Sequence, residues 1–392
     1  MPMRVVVVVG TRPEAIKMAP VIRHLRQNRA FEAIVVSSGQ HRQMLAQALD
    51  VFGIRPDYDL GVMRPNQTLS GLTAAVLERF DALLEAVRPD RVLVHGDTTT
   101  AMAATVAAFH KQVPVGHVEA GLRTGDLTRP FPEELNRRCI DEAADMLWTP
   151  TLTAKRALWR EGLSNEKILL VTGNTVIDAL LWAAEEIDSD ANLLAGLHRR
   201  FAYLDRARHI VLVTGHRRES FGDGFQQICL AIRDLAARAD VQIVYPVHLN
   251  PNVFRPVHRI LDGADNVHLI EPQDYLSFVY LMKCSDVILT DSGGVQEEAP
   301  SLGKPVIVMR DLTERPEAVA AGTVQLTGAD RNAIVAAATG WLDDRIGKDL
   351  CSINPYGDGR AAERIAASLL GDIGRIGEWD TGSYREVSGL VA

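Results

Sequence analysis

Val5-Val6-Val7-Val8-Val9-Gly10-Thr11-Arg12-Pro13-Glu14 is five consecutive β-branched residues, a glycine, and the opening of a helical pattern that runs to Arg26. An apolar strand with no polar alternation is buried on both faces, as in parallel sheets covered by helices on either side. Gly10 permits the sharp turn out of such a strand, and Pro13 suits the first turn of the helix that follows.

The same alternation recurs along the chain. Strands are predicted at Arg4–Val9, Ala33–Ser37, Arg91–Val94, Val113–Val118, Met146–Trp148 and Ile168–Val171, with helices such as Glu14–Arg26, Leu69–Val87 and Thr99–His110 between them. After Glu185–Arg208, read as one helix and a connector, a second series begins: His209–Val213, Val241–Val247, Val267–Ile270, Val287–Thr290 and Pro305–Met309. A further helix is expected at Arg360–Leu370, ahead of a polar tail. The fold class is therefore α/β, two Rossmann-like domains with parallel sheets, and a ligand is expected in the cleft between them at the strands' carboxyl ends.

The 392 residues are enough for two or three domains. Apolar residues at 47% and charged residues at 23% fit a folded globular protein and exclude disorder or a fibrous repeat. Lys and Arg number 42 against 50 Asp and Glu, and there is no long basic run, which argues against a nucleic-acid partner. The apolar run Val5–Val9 is too short for a membrane span or a signal core, so a cytoplasmic enzyme without membrane attachment is expected. Cys139, Cys229, Cys284 and Cys351 form no Cys-x-x-Cys pair, and buried reduced thiols are expected rather than disulfides or zinc.

Chemistry-bearing residues cluster where the predicted strands stop. Arg12 and Lys17 at the first tip favour an anion, and the absence of Gly-x-Gly-x-x-Gly speaks against a nicotinamide dehydrogenase. Asp97, in His95-Gly96-Asp97-Thr98-Thr99-Thr100, is either a helix cap or an acid–base group. Glu119, in Glu119-Ala120-Gly121-Leu122-Arg123, is either salt-bridged to Arg123 or functional. Glu133 and Glu134 follow on a proline-rich loop, and three acids on one rim would raise a carboxyl pKa by mutual repulsion. In the second half, His216-Arg217-Arg218 suits a polyphosphate, and so does Asp291-Ser292-Gly293-Gly294, with an acid at Glu298 within reach of sugar hydroxyls. Arg315 adds a further cation, while His248 is read as a loop stabiliser or a ligand contact.

The strings Gly10-Thr11-Arg12-Pro13-Glu14-Ala15-Ile16-Lys17, His95-Gly96-Asp97-Thr98-Thr99, His117-Val118-Glu119-Ala120-Gly121-Leu122-Arg123, Thr172-Gly173-Asn174-Thr175, Asp291 to Glu298 and Asn354-Pro355-Tyr356-Gly357-Asp358-Gly359 resemble the bacterial non-hydrolysing UDP-N-acetylglucosamine 2-epimerases, in order from about Met3 to Leu370. The resemblance implies a glycosyltransferase B type fold and a homodimer. It places an N-terminal domain at 1–172, a UDP-binding domain at 173–355, a helix at 356–371 packing back on the first domain, and a tail at 372–392. It also implies reversible conversion of UDP-N-acetylglucosamine to UDP-N-acetylmannosamine, without NAD or metal, by elimination of UDP to 2-acetamidoglucal and re-addition, as a precursor supply for cell-surface polysaccharide. By position, Asp97, Glu119, Glu133 and His216 fall on the catalytic residues. Arg12, Lys17, Gln273, Phe278, Ser292, Gly293, Gly294, Glu298 and Arg315 fall on substrate contacts, Phe278 against uracil and Glu298 at the ribose. Gln40, Gln43, Arg217 and His248 match a second site where some members bind the substrate as an activator, although Asn66 stands where at least some carry a basic residue. The rival readings are a hydrolysing relative, a nucleotide-sugar glycosyltransferase on the same architecture, and a non-catalytic nucleotide-sugar sensor.

Overall fold

The computed structural model describes residues 1–39, 42–163, 167–215, 217, 221–313, 315–343, 354–372, 374 and 377–379. The chain divides into two compact units, one comprising Met1–Ala179 with Tyr356–Gly382 and the other containing Leu180–Pro355.

The first unit is built on a seven-stranded sheet of β1 (Met3–Val9), β2 (Phe31–Ser37), β3 (Tyr58–Asp59), β4 (Arg91–His95), β5 (Val115–Val118), β6 (Met146–Thr149) and β7 (Ile168–Val171). Its strands run parallel in the order β3-β2-β1-β4-β5-β6-β7. The valine run lies near the centre, Val5 pairing with Ala33 on one side and Arg91 on the other, and Val5–Val9 are essentially inaccessible. Helix Thr99–His110 buries Ala101, Ala103, Ala104, Ala107 and Ala108, whose small side chains allow close packing. At Gly116 a Cβ would lie 2.3 Å from Trp148 on β6, so only glycine fits beneath that indole. Trp148 Nε1 then donates to Ser368 Oγ at 2.8 Å, fastening helix Ala361–Leu369 to this unit. Arg364 adds a bidentate pair to Asp358, and Asp178 accepts the Ala361 and Ala362 amides.

The second unit repeats the plan with six parallel strands, β8 (His209–Thr214), β9 (Val241–Pro246), β10 (Val267–Ile270), β11 (Val287–Thr290), β12 (Val306–Val308) and β13 (Val324–Leu326), in the order β10-β9-β8-β11-β12-β13. Strand order reverses between β1 and β4 in one sheet and between β8 and β11 in the other, the places where open parallel sheets take ligands.

Three expectations need correction. Glu185–Arg208, read as one helix and a connector, holds the end of helix Thr175–Ser189 and a second helix, Ala191–Arg200, before the connector to His209; the two helices part at Asp190, whose carboxylate accepts the Asn192 and Leu193 amides. Edge strands β3 and β13 had no strand predicted for them. Of the thiols expected to be buried, Cys229 is, but Cys139 is exposed and Cys284 half-buried; Cys351 lies outside the described residues.

Candidate active site

The tips of β1, β4 and β5 are joined by carboxylates. Glu14, 2% exposed, accepts from the Gly10 amide at 3.1 Å, the Thr11 amide and hydroxyl at 2.7 Å each, and the Thr98 hydroxyl at 2.8 Å. One side chain thus completes a capping box for helix Arg12–Gln27 and stitches the β1 turn to the β4 turn. Burial pushes its carboxyl above the usual range.

Glu119 follows β5 in a left-handed conformation (φ 68°), a strain of about 1–3 kcal/mol for a non-glycine residue that characteristically marks functional positions. Its carboxylate pairs with Lys17 Nζ, accepts from Asn174 Nδ2 at 3.1 Å and lies 3.4 Å from His95 Nε2. Burial alone would raise the Glu119 carboxyl, yet Lys17 and His95 outweigh it and hold the group well below the usual carboxylate range.

Asp97 behaves in the opposite way. Burial raises its carboxyl, the Glu119 and Glu133 charges add to that, and Arg137, with Nη2 3.0 Å away, opposes them. Asp97 does not cap the following helix, because Thr98 takes that place and accepts from the Ala101 amide. Two neighbouring carboxyls thus have their proton affinities driven apart, the arrangement that separates acid and base roles in a site. Glu133 and Glu134 differ in burial and contacts: Glu134, fully buried, accepts from the Thr124 amide and from Arg138, whereas Glu133 is partly exposed and its charge acts on Asp97.

In the second unit, the β8 and β11 tips are tied by the Thr214 and Thr290 hydroxyls at 2.6 Å and by the Arg217 amide donating to Asp291 Oδ2 at 2.7 Å. Helix Gly293–Glu298 follows Ser292, and a Cβ on Gly293 would stand 3.7 Å from Arg315 Nη2, which puts that guanidinium beside the turn. Arg315 Nε pairs with Glu297, and Glu298, nearly buried, accepts from the Tyr275 hydroxyl at 3.1 Å. Gln273 and Phe278 are half-buried at the start of helix Tyr275–Cys284 and within it.

Residues 23–370 match the family model described as UDP-N-acetylglucosamine 2-epimerase. The chain belongs to the UDP-N-acetylglucosamine 2-epimerase family. A relative of that name from Yersinia pestis is 55% identical over 94% of this chain and 98% of its own, and one from Escherichia coli K12 is 54% identical over the same shares. A crystal structure of UDP-GlcNAc 2-epimerase from Neisseria meningitidis bound to UDP-GlcNAc superposes with a TM-score of 0.86 at 47% identity, covering 94% of this chain and all of that one. The two parallel-sheet domains are those of the glycosyltransferase B type fold.

For this member of the epimerase family, Arg12, Lys17, Asp97, Glu119 and Glu133 lie in the first unit, Lys17 in direct contact with Glu119. Gln273, Phe278, Ser292, Gly293, Gly294, Glu298 and Arg315 lie in the second. The Arg123 partner considered for Glu119 is overturned: Arg123 pairs with Asp141 at 2.7 Å and with Glu161 at 2.8 Å, while Glu119 takes Lys17. His216 and Gln40 lie outside the described residues, as does the side chain of Gln43. His248 Nδ1 accepts from the Asn250 amide at 3.0 Å, shaping its own loop. Sequence reasoning assigned no role to Glu14, although Thr11-x-x-Glu14 carries the capping-box spacing, nor to His95, Asn174 and Arg137, whose contacts span distant segments. Among the described residues, no three histidine, cysteine or carboxylate side chains are grouped to hold a metal ion. No helix among them is long and apolar enough to cross a membrane.

Proposed function

We propose that this chain reversibly epimerises carbon 2 of UDP-N-acetylglucosamine to give UDP-N-acetylmannosamine. The reading is carried by two neighbouring buried carboxyls pushed in opposite directions, Asp97 upward by burial and Glu119 downward by Lys17 and His95, in a chain of this family. In the forward direction a carboxylate of the Asp97, Glu119 and Glu133 set removes the C2 proton. The C–H electrons form the C1=C2 bond, and the C1–O electrons leave with the diphosphate of UDP, giving 2-acetamidoglucal. Re-addition of UDP at C1 and protonation of C2 from the opposite face complete the cycle. Oxidation state is unchanged overall, so the scheme requires no redox cofactor. His216, Arg12 and Arg315 serve as cationic or hydrogen-bonding partners of the departing diphosphate. Ser292, Gly293 and Gly294 line the diphosphate, Glu298 holds the ribose, Phe278 brackets the uracil, and Gln273 is a further substrate contact. A cytoplasmic homodimer supplying precursor for cell-surface polysaccharide, and a second substrate site using Gln40, Gln43, Arg217 and His248, belong to the same reading.

The test is incubation with UDP-N-acetylglucosamine in D2O, followed at carbon 2 by NMR. Deuterium entry with appearance of UDP-N-acetylmannosamine is expected. Free N-acetylmannosamine would point to a hydrolase, and UDP release only with an acceptor to a transferase. Asp97→Asn should bind UDP normally while losing exchange; full exchange in that variant would remove Asp97 from the acid–base set.

A further inference from the structure

We propose that His117 is a positioning residue that locks the three acid-bearing segments of the first unit to one another, an inference that rests on the reading of Asp97, Glu119 and Glu133 as the acid–base set. His117 is completely buried on β5, two residues before Glu119. Its Nδ1 lies 2.6 Å from Asp141 Oδ1, and Asp141 sits two turns beyond Glu133 on helix Glu133–Ala143. Its Nε2 lies 2.7 Å from the carbonyl oxygen of Gly96, the residue before Asp97. One imidazole therefore reaches all three segments.

The proton inventory follows from the partners. A backbone carbonyl can only accept. Asp141 is ionised, since its far oxygen takes the Arg123 guanidinium at 2.7 Å and the Gly121 amide at 3.3 Å, and an ionised carboxylate also only accepts. The ring accordingly donates at both nitrogens. Arg123 is itself anchored by Glu161. Because a peptide group is planar, fixing the Gly96 carbonyl fixes the plane from which Asp97 departs. The same helix holds the other side of that residue: Asn136 Nδ2 donates to the Asp97 carbonyl at 2.9 Å and Arg137 pairs with its carboxylate. Releasing His117 would let the β4 turn and the Glu133 helix drift apart, and a shift of about 1 Å costs on the order of 100-fold in rate.

Two substitutions separate the arms. His117→Gln keeps a donor near the Nε2 position for Gly96 and abandons Asp141, whereas His117→Asn keeps one near Nδ1 for Asp141 and abandons Gly96. Each is expected to lower kcat by on the order of 100-fold while KM and calorimetric UDP affinity stay within about twofold of wild type. In wild-type protein labelled with 15N-histidine, one ring should show two slowly exchanging N–H protons that are absent from both variants. Wild-type kcat in both variants, a fall in kcat/KM arising entirely from KM, or no histidine ring with two such protons would overturn the proposal. Should neither variant fold, the wild-type spectrum decides. Full carbon-2 exchange in Asp97→Asn, Glu119→Gln and Glu133→Gln together would instead overturn the acid–base reading and leave the ring's two N–H protons in place.

Discussion

Replacing Lys17 by methionine removes the ammonium from Glu119 while keeping most of the side-chain bulk. The two side chains are only 12% and 10% exposed, so solvent screens the pair weakly. Orphaning one member of a buried pair typically costs about 3–5 kcal/mol. Here Asn174 at 3.1 Å and His95 at 3.4 Å remain on the carboxylate, which puts the expected loss at the low end, about 3 kcal/mol. The loss must depend on pH. With Lys17 present the folded Glu119 carboxyl lies well below 4.5, so its contribution is present above the unfolded pKa and disappears as pH falls through the folded value. Without Lys17, burial is the dominant influence and the folded carboxyl moves upward. The destabilisation of Lys17→Met relative to the parent therefore grows as pH rises across the ordinary carboxyl range and is smallest in acid. Urea unfolding at a series of pH values measures it, and the acid limb of kcat/KM should move upward in parallel. A difference under about 1 kcal/mol at neutral pH, the size of a surface pair, would refute the reasoning, as would one constant with pH.

Two further substitutions probe neighbouring charges. Arg137→Met leaves only the weaker influence of His95 to oppose burial and the Glu119 and Glu133 charges at Asp97, so the pH at which Asp97 gives up its proton rises; a pH–rate profile whose acid limb stays in place would dismiss Arg137 as the controlling cation. Asp178, raised by burial from 3.8 to about 6, contributes stability that is present below pH 3.8 and lost as pH rises through about 6, roughly 3 kcal/mol for that shift. Asp178→Asn should remove that decline, so that unfolding free energies at pH 4.5 and 7.5 differ less than in the parent; an unchanged slope would count against it.

The fold was legible wherever a strand carried its own signature. β1, β4, β8, β9 and β11 are rich in Val, Ile and Leu and buried along most of their length, and burial of that kind writes itself into composition. Strand β3 is two exposed residues, Tyr58 and Asp59, paired at the sheet edge to Val36 and Ser37. Nothing apolar marks it, and only the neighbouring strand makes it a strand. The site divides in the same way. Which residues occupy the tips could be read from the order of residues along the chain, but their pairings could not. Arg123 stands four residues from Glu119 and invites a local bridge, whereas the sheet order brings in Lys17 from 102 positions away. Asp97 and Thr98 both have side chains able to cap a helix, and the backbone awards the position to Thr98.

The two sheets share one strand order and dress its reversal point differently. At β1 and β4 the tips hold Glu14, Lys17, His95 and Asp97; burial raises the Glu14 and Asp97 carboxyls, while Lys17 and His95 hold down Glu119 beside them. At β8 and β11 they hold the small residues Thr214, Gly215, Thr290, Ser292, Gly293 and Gly294, with one buried carboxylate among them, Asp291, tied to the Arg217 amide. A proton-transfer site needs carboxyl environments of unequal affinity, and a nucleotide site needs backbone donors with room for a bulky anion. Carboxylates buried at either tip are each held by a donor: Glu119 by Lys17 and Asn174, Asp291 by the Arg217 amide, and Glu298 by the Tyr275 hydroxyl. One strand order thus carries carboxyls of unequal proton affinity at its reversal point in the first unit and a glycine-rich turn beside Arg315 in the second.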